Sequence, residues 1–239
     1  MPVLFFDIGA TLADARAEAD GTLTLLPRPR VLAVLDSFRD MPKGIISNPG
    51  TDDGAAERAA VALHSAFPGR FTDARLVHWG PKNNRSLFDE AIAAATEVGR
   101  EGAGAAGADD CVFVGEDSQE RAFAREAGMR TAAHPVFAPA AVENRPVLWA
   151  RIELPEGRGL PDLAVIADET EVVPLHVPSE RLVLAMLSAR GAEVLEQAGF
   201  AVDLRGPVAE TAAFLVRDDR AFPSAAAPTS ATAAGRTAT

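Results

Sequence analysis

The chain has 239 residues, with 23 Lys and Arg against 34 Asp and Glu, a formal net charge of −11. That length allows one large domain or two small ones with cores of their own, and the negative field repels phosphate backbones and anionic lipid, so no nucleic-acid or membrane partner is expected. The lone cysteine, Cys111, excludes an intramolecular disulfide, no apolar run approaches the ~18 residues of a membrane span, and the N-terminal run breaks at Asp7, so a cytoplasmic, reducing location is expected.

In chain order, VLFF at 3–6 reads as a buried strand, followed by an amphipathic helical pattern at 29–40 and the strand KGIISN at 43–48. A second helical pattern at 53–66 precedes ARLVHW at 74–79, and a third at 84–99 runs into EGAGAAGADD, a connector at 101–110. CVFVG at 111–115, a helix at 119–128 and MRTAAH at 129–134 complete the alternation. Short, near-continuous apolar strands alternating with helices predict an α/β fold with a doubly wound parallel sheet over 1–140. From Leu12 to Lys43 there is room for a turn and one helix, and from Asn48 to Lys82 for one helix and one strand, so neither interval holds an inserted domain.

Beyond residue 140 the texture changes. VLWARIELP, LAVIADETEVVPLHVP, a helical SERLVLAMLSARGAEVLEQAGF, AVDLRG and TAAFLVRDD predict a smaller α+β module over 145–222. It either covers a site on the first domain or docks elsewhere on it, or joins two copies as a homodimer. The Ala-, Ser-, Thr- and Pro-rich stretch 223–239 has no hydrophobic period and reads as a disordered tail.

Ligands of open parallel sheets sit at the carboxyl ends of the strands, where Asp7, Ser47 and Glu116 would converge. Asp7, in a turn eased by Gly9, is either a nucleophile or a turn cap. Ser47 and Asn48 present anion-binding groups or cap a helix, and Lys82 either neutralises an anion or stands in solvent. Glu116, Asp117 and Glu120 are either hard-cation ligands or the acidic first turn of a helix. His176, in an apolar strand between prolines, reads as structural; His134 lies nearer the proposed edge.

Taken in order, FFDIGATL, IISN, GPKNNRSLF and VFVGEDSQERAFAREAGM resemble the motifs of the haloacid dehalogenase-like hydrolase superfamily over about residues 1–137. The resemblance implies the same doubly wound sheet and a capless member. It implies Asp7 as nucleophile, Thr11 as support of its loop and a substrate-side group, and Ser47 and Lys82 on the phosphoryl oxygens. Magnesium would be held by Asp7, the Gly9 carbonyl and a carboxylate among Glu116, Asp117 and Glu120. Two motifs depart from the pattern. Gly9 stands where the phosphatases of the superfamily carry a general acid, and Glu116 and Glu120 replace the usual aspartates. The expected activity is magnesium-dependent hydrolysis of a small phosphorylated or acyl-phosphate substrate; the alternative is an inactive scaffold that binds a protein partner at the open site.

Overall fold

The computed structural model describes residues 1–19, 21–101 and 106–208. Residues 102–105 of the 101–110 connector, the stretch TAAFLVRDD and the tail 223–239 therefore lie outside the described residues.

Strands β1 (Val3–Phe6), β4 (Lys43–Ser47), β5 (Val77–Trp79), β6 (Cys111–Val114) and β7 (Arg130–Ala132) form one parallel sheet in the order β5-β4-β1-β6-β7. The chain steps outward from β1 to β4 and β5, then returns to β6 and β7. Right-handed crossovers therefore put the helices of each half on opposite faces. Leu4, Phe6, Ile45, Val112 and Val114 pack with α1 (Val31–Ser37) and α2 (Ala55–Ala66), while Val3, Phe5, Ile46, Cys111 and Phe113 pack with α3 (Ser86–Glu101) and α4 (Ser118–Glu126). Both faces are covered, which is why β1 and β6 are apolar at every position. Burial also pushes the Cys111 thiol up to about 12.

Between β1 and α1 the expected turn is instead an antiparallel hairpin, β2 (Ala13–Ala17) and β3 (Leu23–Pro27). Its apolar positions Leu23 and Leu25 join the core on the α2 side. The Asp-Gly pair at 20–21, between two short alternating runs, is a hairpin signal in the sequence.

After α5 (Ala138–Val142) the chain enters a second sheet, built from β8 (Val147–Glu153), β9 (Val172–Ser179), β10 (Leu182–Ser188) and β11 (Ala201–Pro207). All its pairs are antiparallel, in the order β11-β8-β10-β9. With α6 (Leu160–Glu169) and α7 (Ala189–Gln197) the chain order is β-α-β-β-α-β, a split βαβ arrangement. The helical expectation over 179–200 is corrected here: Leu182–Ser188 is a strand between β8 and β9, and the helix begins only at Ala189. Ser188 ends the strand and caps the helix, accepting the Gly191 N–H at 3.1 Å.

One face of this sheet buries Ile152, Val183, Ala185 and Leu187 under α6 and α7. Met186 and Val173, on the other face, belong to the core of the first sheet. Arg30, held in the left-handed region at φ 67°, sends its guanidinium into this seam, donating to the carbonyls of Thr170 and Val172. Arg145 pairs with Glu171 at 3.3 Å beside it.

Candidate active site

Three strand ends and one loop build the site. Asp7 leaves β1 with its N–H donated to the Val114 carbonyl at 2.9 Å, which holds it beside β6. The next turn closes on Ile8, whose carbonyl accepts the N–H groups of Thr11, Leu12 and Ala13. Those three backbone donors are therefore satisfied without the Asp7 side chain. Its carboxylate is reached from elsewhere: Ser47 Oγ, at the end of β4, donates to Oδ1 at 2.8 Å, and Lys82 Nζ lies 2.6 Å from the same oxygen.

Lys82 is 3% exposed at its side chain and Asp7 8%, so this ion pair is shielded from solvent. Glu120 Oε2 makes a second ion pair with Lys82, at 2.7 Å. The ammonium also lies 5.8 Å from the centre of the Phe113 ring.

Glu116 and Glu120 arrive through the turn after β6. A Cβ on Gly115 would meet the Phe113 ring at 2.8 Å and Asp7 Cβ at 3.6 Å, so glycine lets this turn run against Asp7. Arg121, fully buried, donates to the Gly115 carbonyl at 2.6 Å and pins it. Asp117 caps α4, accepting the N–H groups of Gln119 at 2.7 Å and Glu120 at 3.3 Å. Its carboxylate is thus committed to the helix end, and that cap sets Glu120 toward Lys82.

Thr11 is 2% exposed and joins the β1 turn to the β6 turn: its hydroxyl donates to Glu116 Oε2 at 2.8 Å and accepts the Glu116 N–H at 3.2 Å. That hydroxyl is spent inside the protein rather than offered to a ligand. Asn48 is exposed and its Oδ1 accepts the Gly50 N–H at 3.1 Å. Gly9 is exposed, and a Cβ built on it meets nothing within 4 Å. His134 accepts the Val136 N–H and packs on Phe137, and His176 stands exposed on β9.

Burial raises the Glu116 carboxyl above the ordinary glutamate range, and the charge of Asp7 raises it further. Burial likewise lifts Glu120 to about 7, against the opposing pull of Lys82. Among the described residues no three His, Cys, Asp or Glu side chains are grouped to enclose a cation. Asp7 and Glu116 nevertheless repel one another across the cleft, and two carboxylates with retained waters are a donor set that suits magnesium. All four acids are already engaged: Asp7 Oδ1 by Ser47 and Lys82, Glu116 Oε2 by Thr11, Glu120 by Lys82 and Asp117 by the helix end.

The strand pattern placed Asp7, Ser47 and Glu116 near one edge and the resemblance added Lys82 and Glu120; in the structure Ser47, Asp7, Lys82 and Glu120 are in contact in that order, and Glu116 feels the charge of Asp7 while bonded to Thr11. Sequence reasoning did not single out Arg121. A basic residue in SQERAFARE, which also carries Glu120, Arg125 and Glu126, is an ordinary helix-surface pattern, and nothing local marks it as buried.

No family model matches the chain, and no curated protein matches it. One solved structure is similar over 56% of this chain and 68% of its own, at 15% identity and a TM-score of 0.36. Malonyl CoA-acyl carrier protein transacylase from Burkholderia pseudomallei is matched over 88% of this chain and 66% of its own, at 13% identity and a TM-score of 0.23. An acyl-carrier-protein S-malonyltransferase from Burkholderia pseudomallei 1710b gives 14% identity over 87% and 64%, with a TM-score of 0.21.

Proposed function

We propose that the protein hydrolyses a phosphorylated small molecule through Asp7, in the manner of the haloacid dehalogenase-like hydrolases its motifs resemble. The observation that carries this reading is the double grip on Asp7 Oδ1 by Ser47 at 2.8 Å and Lys82 at 2.6 Å. An aspartate serving only as a turn cap would accept N–H groups of its own turn. Here the donors are side chains from two other segments, one of them a buried lysine.

In this reading Oδ1 is anchored and Oδ2 attacks phosphorus. The bond from phosphorus to the leaving oxygen breaks, its electron pair departs with that oxygen, and the phosphoryl group rests on Asp7. Water then attacks the phosphorus, releasing orthophosphate and restoring the carboxylate. Lys82 and Ser47 offset the charge of the phosphoryl oxygens throughout. Magnesium, when bound by Asp7 and Glu116, supplies the remaining charge neutralisation between nucleophile and phosphate.

Gly9 offers no proton to the leaving group. Acyl phosphates, whose carboxylate departs unprotonated, are therefore the favoured substrates. The open space at Gly9 also supports a second reading, a site kept for binding alone.

Hydrolysis of acetyl phosphate and p-nitrophenyl phosphate, with and without magnesium, separates the two. We expect turnover of acetyl phosphate that falls to background in Asp7→Asn. Equal rates in the two proteins would remove Asp7 as nucleophile. Gly9→Asp, which meets no steric obstacle, should raise p-nitrophenyl phosphate hydrolysis by about 10²–10⁴-fold. A silent native protein revived by Gly9→Asp would favour the binding reading.

A further inference from the structure

Arg121 takes no part in the steps described above, yet it is among the largest fully buried side chains of the protein. It stands on α4, one residue after Glu120, at 0% exposure. A guanidinium keeps its charge, so burying it costs more than burying a leucine or methionine at the same helix position. Its contact with the Gly115 carbonyl shows what that cost can serve.

The Gly115 carbonyl belongs to the peptide that carries the Glu116 N–H. That peptide is gripped at both ends: Arg121 Nη1 donates to its oxygen at 2.6 Å, and Thr11 Oγ1 accepts its N–H at 3.2 Å. The same Thr11 hydroxyl donates to Glu116 Oε2 at 2.8 Å. The preceding peptide is fixed by backbone alone, the Val114 carbonyl accepting the Asp7 N–H at 2.9 Å and the Gly115 N–H donating to the Ala132 carbonyl at 3.1 Å. Where the sheet ladder stops, two side chains take over its work.

Glycine at 115 makes that restraint necessary. Without a Cβ the turn can lie against Phe113 and Asp7, but the torsion that aims the next peptide then has no side chain to limit it. Glu116 is near enough to Asp7 to feel its charge, so a swing of that peptide changes the spacing of the two carboxylates. A charge-assisted hydrogen bond from a side chain rooted in a helix resists such a swing.

We propose that Arg121 is a positioning residue of the Asp7 site: by holding the Gly115 carbonyl it fixes the Gly115–Glu116 peptide, and with it the Glu116 carboxylate beside Asp7. Its bearing on turnover rests on the reading of Asp7 as the phosphoryl site. Ser47 and Lys82 reach Asp7 from other segments, so substrate binding should survive the loss of Arg121 while the chemical step slows.

Arg121→Met keeps the bulk of the side chain and removes the donor. In that protein the Glu116 amide should exchange with solvent deuterium about tenfold faster, as it should in Thr11→Val, while the amides of β1 and β6 keep their rates. A role in packing alone would speed them all together. For acetyl phosphate, kcat should fall about 10–100-fold with KM changed by less than about twofold. Joining Thr11→Val to Arg121→Met should cost little more than the worse of the two, because both release one peptide. Arg121→Gln, whose shorter side chain brings its amide short of the Gly115 carbonyl, should behave alike and carries the test if the methionine protein does not fold. An unchanged Glu116 amide, a uniform acceleration across the sheet, an unchanged kcat with the amide released, or losses that multiply in the double variant would each overturn the inference. A native protein without turnover whose Glu116 amide is still released by Arg121→Met would support it while removing the phosphatase reading.

Discussion

Lys82 answers two carboxylates at once, and the burial of Glu120 beside it makes the protonation of Glu120 a matter of stability. Glu120 keeps its proton up to about 7 in the folded protein, against 4.5 when unperturbed, because burial outweighs the neighbouring ammonium. Between those pH values the folded state binds more protons than the unfolded one, so stability falls as pH rises from about 4.5 to 7. Glu120→Gln removes this titration. In buffer with a chelator, the decline of the urea midpoint over that range should flatten in the variant; an equally steep decline would place the titration elsewhere. Glu116, raised by burial and by Asp7, acts in the same direction and leaves a residual slope in the variant.

At the level of elements, glycine decides where two segments touch. A Cβ on Gly44 in β4 would lie 2.2 Å from the Leu76 carbonyl oxygen and 2.7 Å from the Phe5 ring. The single turn Ala74–Leu76 passes directly over β4 on its way into β5, and only a bare Cα leaves room. Gly44→Ala should therefore lower stability by about 1–3 kcal/mol through forced displacement of β4 or β5, measured by denaturant unfolding. Because β4 ends in Ser47 and β5 leads to Lys82, the variant should also weaken the hold on Asp7, read as a larger proportional loss of acetyl phosphate turnover than of stability. Unchanged unfolding would mean that the contact relaxes freely.

For the molecule as a whole, the second sheet is tied to the first at a seam beside α1. Met186 and Val173 insert into the core shared with α1, and Arg30 ties α1 to the Thr170 and Val172 carbonyls. A shared core predicts one cooperative transition. Trp79 reports on the parallel sheet and Trp149 on the antiparallel one, so single-tryptophan variants should unfold at the same denaturant concentration. Met186→Ala should shift both midpoints together, at a cost of about 2–5 kcal/mol. Separate midpoints would mean that the two sheets fold independently.

The parallel sheet was legible because β1 and β6 are buried on both faces and so carry apolar residues without interruption; their composition marks them before any partner is known. The convergence of Asp7, Ser47 and Glu116 followed from the same pattern, since parallel strands bring their carboxyl ends to one edge, and Lys82 came only from the motif resemblance. Three features were not legible. LVLAMLS at 182–188 suits a helix as well as a strand, and it is a strand because β8 and β9 offer hydrogen bonds on both sides. Arg121 looks like a surface residue until Gly115 supplies a carbonyl for it. The commitment of Glu120 to Lys82 depends on side chains from two separate loops meeting at one point, whereas the Asp117 cap is local to its own helix. A sequence pattern carries the preference of a segment for its own backbone shape and for burial. Which strand lies beside it, and which charge faces its own, is fixed only when distant segments pack, because hydrogen bonds and ion pairs act over a few ångströms of space rather than along the chain.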